Sequence, residues 1–340
     1  MALTINTNTS SIVAQRNLDS ATKSLNTAIE RMTTGYKINH ASDNAAGYSI
    51  ARNWSTQLSS LDVAADNAAT GSDMLTTVED TYSLIASHVQ RIRDLTEQAA
   101  NGTYGKDSLV AIESEIKARL DEINRISANC EFNGTHLMNG SATNGITANV
   151  NIQVGLYSDA NSKITLDSSL FASASVAGLF SSHGGDLAVT GGKTLLQVLK
   201  AANNNTDLAI SDATLGFQAT EAAKHAFASA CAGLVYNAGA FTKQTGADYT
   251  AEKMLTFLDS VMADISSKTT ALGAAQNRID SAIESISVQS ENITSSLSTL
   301  RDADVAKESS SYIQSQILQQ AAATLLATAN QTPSIALNLL

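Results

Sequence analysis

Proline is almost absent from this chain of 340 residues, whose single proline is Pro333. Ordinary usage of about 5 % would give about seventeen prolines in a chain of this length. Because proline interrupts helices, a chain with none before its last eight residues can form long uninterrupted helices. Aromatic residues are also scarce, at 5 % of the sequence, although 43 % of the residues are hydrophobic. The core is therefore expected to consist mainly of Ala, Leu, Ile and Val, in a rod of long helices.

The chain also lacks clusters of basic residues. Its formal net charge is -11 and its pI is about 4.8, whereas contacts to phosphates need clustered Lys and Arg, so we expect no nucleic-acid partner. No run of roughly 18 or more apolar residues is present, so neither a transmembrane helix nor a membrane partner is predicted. The segment MALTINTNTSSIVAQ lacks the basic and apolar parts of a cleaved secretory signal. This leaves either retention in the cytoplasm or export by another route.

Residue types that could support catalysis or bind a cofactor do not form a motif. Cys130 and Cys231 lie far apart and are expected to be free thiols, and metal ligands at short spacing are missing. The segment TGGKT at 190–194 lacks the first glycine of a phosphate-binding loop. Asp302 and Asp304 face different sides of a helix, which favours a solvated charge cluster or a role at a helix start over paired catalytic carboxylates. With no nucleophile next to a base, we expect no enzymatic activity and no cofactor.

Hydrophobic residues recur every seven positions in three segments, as in helices that pack along their length. The first segment has Leu18, Leu25 and Met32, with Ala21 and Ala28 between them. The second extends over about 50–99 and the third over about 254–300, and a shorter helix is predicted at about 107–128. The two long helices are expected to pack side by side. Their predicted coiled-coil seam comprises Leu61, Leu75, Val78, Ile85, Ile92, Leu258, Ile265, Leu272, Ile279, Ile286, Ile293 and Leu300.

The middle of the chain breaks this pattern. Residues 148–167 alternate apolar and polar side chains around the segment YSDANS, which predicts a β-hairpin. Residues 174–249 are rich in Gly, Ala, Asn and Ser, with predicted helices at 193–202 and 220–238, and we interpret them as a small separate module. The predicted fold class is mainly α, with long antiparallel coiled-coil helices from both chain ends, a β-hairpin region and this inserted outer module.

The last segment of the chain has no ionisable side chain from Ser309 to Leu340, and its apolar residues lie on several helix faces. A helix that is apolar on all sides is buried on all sides. One partner helix cannot cover it, whereas neighbouring subunits of an assembly can. The alternative is an ordinary core helix of a monomer.

Six segments near the two ends carry a specific signature. They are INTNTSSIVAQRNL, ERMTTGYKINHASDNAAGYSIA (30–51), QRIRDLTEQAANGT (90–103), LGAAQNRIDSAI (272–283), DADVAKE (302–308) and QILQQAAATLLATANQTPSIALNLL (316–340). Together they resemble the N-terminal and C-terminal regions of bacterial flagellin. The resemblance covers about 1–170 and 250–340 in the family's order, and leaves out 174–249, where this family varies.

The resemblance implies a structural subunit that polymerises into the bacterial flagellar filament for swimming motility. It implies export of the unfolded chain through the flagellar type III apparatus, which needs no cleaved signal, and an extracellular location in the filament. The implied partners are further copies of the chain, the flagellar cap protein, hook–filament junction proteins and an export chaperone at the C-terminal region.

The resemblance also implies a division of the chain. Residues 1–42 with 302–340 would form the inner-tube helices, and residues 43–173 with 250–301 would form a coiled-coil shell domain with the β-hairpin. Residues 174–249 would be a variable, surface-exposed insert. Because about 176–247 lie outside every heptad row and outside the resemblance, we expect them to be dispensable for assembly. The residues expected to mediate inner-tube assembly are Leu18, Leu25, Met32, Ile313, Ile317, Leu318, Leu325, Leu326, Leu337 and Leu340.

Gln90, Arg91, Leu95 and Glu115 match the patch that the vertebrate Toll-like flagellin receptor recognises in this family, although the same surface also packs between filament subunits. Two other functions compete with the filament subunit. A hook–filament junction protein shares the terminal architecture. A signalling coiled coil would explain the heptads, but neither the uncharged tail nor the motifs at the ends.

Overall fold

The computed structural model describes residues 8–139, 145–172, 174–181, 188–189, 193–194, 221–237, 240–243 and 250–338. Long helices account for most of them, which confirms the predicted fold class. In chain order the helices are α1 (Thr9–Thr34), α2 (Ala45–Ala100), α3 (Lys106–Asn129), α4 (Val176–Ser181), α5 (Glu221–Cys231), α6 (Thr250–Arg301) and α7 (Val305–Asn338).

The strands among the described residues are short and form four antiparallel pairs. They are β1 (Glu131–Phe132) with β2 (Thr135–His136), β3 (Val150–Gln153) with β4 (Lys163–Leu166), β5 (Ala188–Val189) with β6 (Lys193–Thr194), and β7 (Leu234–Asn237) with β8 (Ala240–Lys243). Two 3₁₀ helices, Ala160–Ser162 and Ser168–Phe171, flank β4. The β3–β4 pair aligns Ile152 with Ile164, which confirms the hairpin predicted at 148–167.

The chain divides into two compact units. The terminal unit comprises the described residues up to Asp62 together with those from Ser287 onward. The body comprises the described residues from Val63 to Ile286.

In the terminal unit, α1 and α7 lie antiparallel. Near one end of the pair, Asn8 Nδ2 donates to the Ala329 carbonyl at 2.7 Å. Near the other end, Arg31 Nη1 lies 3.4 Å from Glu308 Oε1. Local signals set the helix ends: Asn8 accepts from the Ser11 amide at 3.1 Å, and α1 stops at Gly35, whose φ of 74° favours glycine.

In the body, both predicted hydrophobic rows of α2 are buried. The rows comprise Ala68, Leu75, Tyr82 and Val89, and Ala64, Gly71, Val78, Ile85 and Ile92. On α6, Leu258, Ile265, Leu272 and Ile279 belong to the same core as the α2 residues and as the apolar face of α3. Ile286 is 7 % exposed, whereas Ile293 and Leu300, in the terminal unit, are half-buried. Leu61, also in the terminal unit, is buried.

The region 174–249 agrees with its prediction only in part, since a helix is found over Glu221–Cys231. The helix predicted at 220–238 ends at Cys231, because Gly233 has a φ of 64° and the β-branched and aromatic residues of Leu234–Asn237 form a strand. Of the helix predicted at 193–202, Lys193 and Thr194 form a strand, and 195–202 lie outside the described residues.

The described part of 174–249 is also not a separate, surface-exposed module. Helix α5 packs on α3, and Phe227, Ala230 and Cys231 are fully buried in the core of the body. Val176 and Leu179 of α4 belong to that core as well. Apolar residues hidden in a Gly-rich and Ser-rich segment therefore join the body, so deleting 176–247 would remove part of its core.

Candidate assembly surface

The contact between α1 and α7 is made by small side chains. Ala14, Ala21 and Ala28 of α1 are buried at a spacing of seven residues, and Ser315 and Ala322 of α7 are buried at the same spacing. Small residues let the two helices approach closely, but they remove little apolar area from water. The pair therefore leaves most of its large apolar side chains uncovered.

Four large apolar residues of α7 point away from this contact. Ile313, Ile317, Leu318 and Leu325 are between 52 % and 61 % exposed, on a helix that carries no charge after Glu308. On α1, Ile12, Val13 and Ile29 are between 44 % and 57 % exposed. We call these seven residues the apolar face. Apolar side chains left exposed on two neighbouring helices favour association, because association can remove them from water.

The residues predicted for inner-tube assembly divide into three groups. Ile313, Ile317, Leu318 and Leu325 belong to the apolar face. Leu18, Leu25 and Leu326 are half-buried and Met32 is 37 % exposed, whereas Ala14, Ala21 and Ala28 of α1 are buried. The side chain of Leu337, and Leu340 as a whole, lie outside what the structure describes.

The receptor candidates lie on α2 and α3 of the body. Arg91 Nε lies 3.0 Å from Glu115 Oε1, and Arg119 Nη2 lies 3.6 Å from the same oxygen. Gln90 is exposed, whereas Leu95 is only 2 % exposed and contributes to the core. The structure thus brings Arg91 and Glu115 together beside Gln90, but it does not place Leu95 at the surface.

Asp304 directly precedes α7, and its Oδ1 accepts hydrogen bonds from the amides of Ala306 at 2.9 Å and Lys307 at 3.2 Å. This confirms the helix-start role for Asp304. Within the described part of the chain, no three His, Cys, Asp or Glu residues are grouped as a metal site. None of the described helices is both long and apolar enough to span a membrane.

One set of residues was missed by the sequence patterns. Lys23, Arg31, Lys37 and Lys307 come from distant positions, yet they line one groove of the terminal unit. A search for runs of basic residues cannot find such a set, because the helix pairing alone brings it together.

The fold defines a class: a mainly helical protein whose two ends pair and expose apolar side chains. Residues 5–143 match the family described as the bacterial flagellin N-terminal helical region, and residues 255–340 match the family described as the bacterial flagellin C-terminal helical region. The chain belongs to the bacterial flagellin family, and it is a structural subunit of the flagellar filament.

Curated relatives match over their whole length and that of this chain. Polar flagellin F of Vibrio parahaemolyticus is 31 % identical over 376 residues, and flagellin D of Vibrio cholerae is 32 % identical over 381 residues. Among solved structures, the crystal structure of Bacillus cereus flagellin is 21 % identical in sequence, with a TM-score of 0.38. The aligned part covers 68 % of this chain and 94 % of the Bacillus cereus chain.

Proposed function

We propose that this chain polymerises into the flagellar filament through the apolar face of its terminal helices. The observation that supports this is the set of exposed Ile and Leu side chains on the charge-free part of α7. A fully buried Ile or Leu side chain contributes about 1.5–3 kcal/mol relative to an exposed one. Covering several half-exposed side chains at once therefore supplies a substantial driving force for assembly.

The finer parts of this proposal follow from membership of the family. The chain acts as a structural protein without enzymatic activity, and it is exported unfolded to an extracellular filament. Its further partners are the cap protein, the hook–filament junction proteins and an export chaperone at the C-terminal region. A junction protein is not favoured, because the Vibrio relatives that match over their whole length are named flagellins.

Polymerisation of purified protein tests the role of the apolar face. The double variant Ile317→Ser with Leu325→Ser removes two exposed side chains of α7 and should leave the monomer folded. If each substitution removes about 1 kcal/mol of burial per subunit, the critical concentration rises by more than tenfold. Tyr157→Ser, at a residue of the β3–β4 connection that is 66 % exposed, is the matched control. Filaments forming at the parental concentration from the double variant would contradict the proposal.

Recognition by the Toll-like flagellin receptor is proposed for the monomer, on the surface around Gln90, Arg91 and Glu115. The ion pair between Arg91 and Glu115 holds both side chains at the junction of α2 and α3. Arg91→Glu places two like charges there, and activation of receptor-bearing cells by the monomer should fall at least tenfold. Arg125→Glu on α3, also beside a glutamate, is the control. Equal activation by the parent and the Arg91 variant would exclude this surface.

A further inference from the structure

A groove lies in the terminal unit between α1, α7 and the segment that follows α1, with a cavity volume of about 610 Å³. Its lining carries more positive than negative charge, although the protein as a whole is acidic. Four lining residues are basic and two are acidic, namely Lys23, Arg31, Lys37 and Lys307, and Asp43 and Glu308.

Both acidic residues already have partners. Glu308 is paired with Arg31, and Asp43 Oδ2 accepts from the amides of Asn39 at 3.1 Å and His40 at 2.9 Å. By contrast, Lys23 and Lys307 are exposed, and their Nζ atoms contact no acceptor among the described residues. The groove therefore presents uncompensated positive charge.

One shielded donor among the lining residues supports the same interpretation. Arg31 Nε is shielded from solvent and has no acceptor in the described part of the chain. Because a shielded N–H without an acceptor is costly, a ligand with several anionic oxygens is the chemistry that suits this groove.

The spacing of the cations selects the kind of anion. Lys23 and Arg31 are eight residues apart on α1, which corresponds to about 12 Å along the helix. A small inorganic anion cannot contact Lys23 and Arg31 at once, whereas a row of carboxylates on another protein surface can contact both.

Such a row is present on the body. Asp66, Asp73 and Asp80 of α2 are exposed, recur every seven residues, or about every 10.5 Å along the helix, and make no ion pair with a described residue. The charge balance agrees: residues 1–62 and 287–340 have seven Lys or Arg against eight Asp or Glu. Residues 63–286 have fourteen against twenty-four.

We propose that the basic groove of one subunit binds the row Asp66, Asp73 and Asp80 of a second copy of the chain. This contact rests on the proposed polymerisation and adds to it an electrostatic element that selects the relative position of neighbouring subunits. Charge complementarity of this kind favours one register and opposes others, since like charges brought together are strongly unfavourable.

Complementary charge reversal tests the contact between copies. A groove variant carries Lys23→Glu and Lys307→Glu, and a row variant carries Asp66→Lys and Asp73→Lys. All four side chains are exposed, so circular dichroism and thermal unfolding of the monomers should match the parent. Each variant alone should need at least about a tenfold higher critical concentration, and their equimolar mixture should return to within about threefold of the parent. A control with Lys106→Glu and Lys163→Glu, which has the same net charge as the groove variant, should assemble like the parent.

The other outcomes overturn the proposal in distinguishable ways. If only the groove variant is impaired, the groove binds another anion. If both variants are impaired and the mixture is not rescued, the two sites do not meet between copies. If the control is impaired as much as the groove variant, net charge and not this groove explains the effect. If the parent itself does not polymerise, the proposed function fails, and this contact fails with it.

Discussion

Gly71 of α2 lies so close to Ile152 of β3 that a Cβ at position 71 would be 2.3 Å from the Ile152 Cδ1 atom. The hairpin therefore packs directly against the backbone of the longest helix. Gly71 also occupies one of the seven-residue rows of α2, where larger apolar residues stand at Val78, Ile85 and Ile92. A glycine in a helix costs about 1 kcal/mol relative to alanine, and this contact supplies the physical reason for it.

Gly71→Ala should consequently destabilise the body by about 1–2 kcal/mol, despite the better helix propensity of alanine. Gly273 of α6 is the matched control, because no atom lies within 4 Å of a Cβ built there. Gly273→Ala should stabilise the protein by about 0.5–1 kcal/mol. Adding Ile152→Val removes the clashing Cδ1 atom and should make the double variant more stable than the two single effects added together. Denaturant unfolding of the four variants measures this, and a stabilising Gly71→Ala would show that the hairpin does not rest on α2.

The periodic parts of the fold could be predicted from the sequence because the signal repeats. Seven-residue rows predicted α2 and α6, because each further apolar residue at the same spacing supports the same buried face of its helix. Leu75 and Ile85 do so on α2, and Leu258 and Ile279 do so on α6. The β3–β4 hairpin was also predictable from alternation. The strand Leu234–Asn237 was not, because its residues do not alternate between apolar and polar and a left-handed Gly233 separates them from α5.

The candidate assembly surface was predictable in part. The absence of charge after Glu308 indicated a tail that needs covering, and Ile317 and Leu325 are indeed exposed. The side chains at the helix contact were predicted less well. The periodicity pointed to Leu18, Leu25 and Met32 as well as to Ala21 and Ala28, and the alanines are the buried residues of this segment. Which of two adjacent rows is buried depends on the partner helix and not on the periodicity itself.

Ile279 is fully buried in the core of the body. It belongs to the row of α6 residues, seven positions apart, that contribute to this core. Ile279→Asp places an unpaired carboxylate there and should destabilise the body by more than about 3 kcal/mol. Val288→Asp on the same helix, at a residue that is 53 % exposed, should change the stability little. Thermal unfolding should show a melting temperature lower by on the order of 10 °C for Ile279→Asp only. A melting temperature of Ile279→Asp within about 2 °C of the parent would refute the assignment of Ile279 to the seam.

The two cysteines are free, as expected from the sequence, and both are buried. Burial raises the pKa of the Cys231 thiol to about 12 and also raises the pKa of the Cys130 thiol above its ordinary value. Because the thiolate is the reactive form, both should react slowly with iodoacetamide in the folded protein and completely in denaturant. Fast labelling of either residue in the native protein would contradict its burial.

Cys231 also reports on the attachment of α5 to α3. Glu113 is 3 % exposed, and its Oε1 lies 2.9 Å from His225 Nδ1; Lys224 is paired with Asp121 in the same contact. Glu113→Ala removes an acceptor from this buried contact and should raise the labelling rate of Cys231 at least threefold, by loosening α5. Labelling of Cys130, which lies beside Thr81 of α2, should not change. Mass spectrometry after timed quenching distinguishes the two sites.

The tail should become ordered mainly when subunits assemble. Among the α7 residues whose side chains the structure describes, only Ser315 and Ala322 are buried, whereas ordering the backbone costs roughly 1–2 kcal/mol per residue. Burial of two small side chains cannot offset that cost, so contacts with other subunits must do so, and the same holds for α1 with its buried alanines. In the free monomer both ends should therefore be the first segments cut by protease.

Removal of residues 308–340 should accordingly leave a soluble protein whose body unfolds within a few degrees of the parent, because the body has its own core. It should abolish polymerisation, and circular dichroism should show helix gained on assembly of the full-length monomer but not of the truncated one. Residues 250–286 of α6, which belong to the body, are the internal standard for protease resistance. If the truncated protein still forms filaments, or if α7 of the monomer resists protease as long as that part of α6 does, the tail is an ordinary core helix.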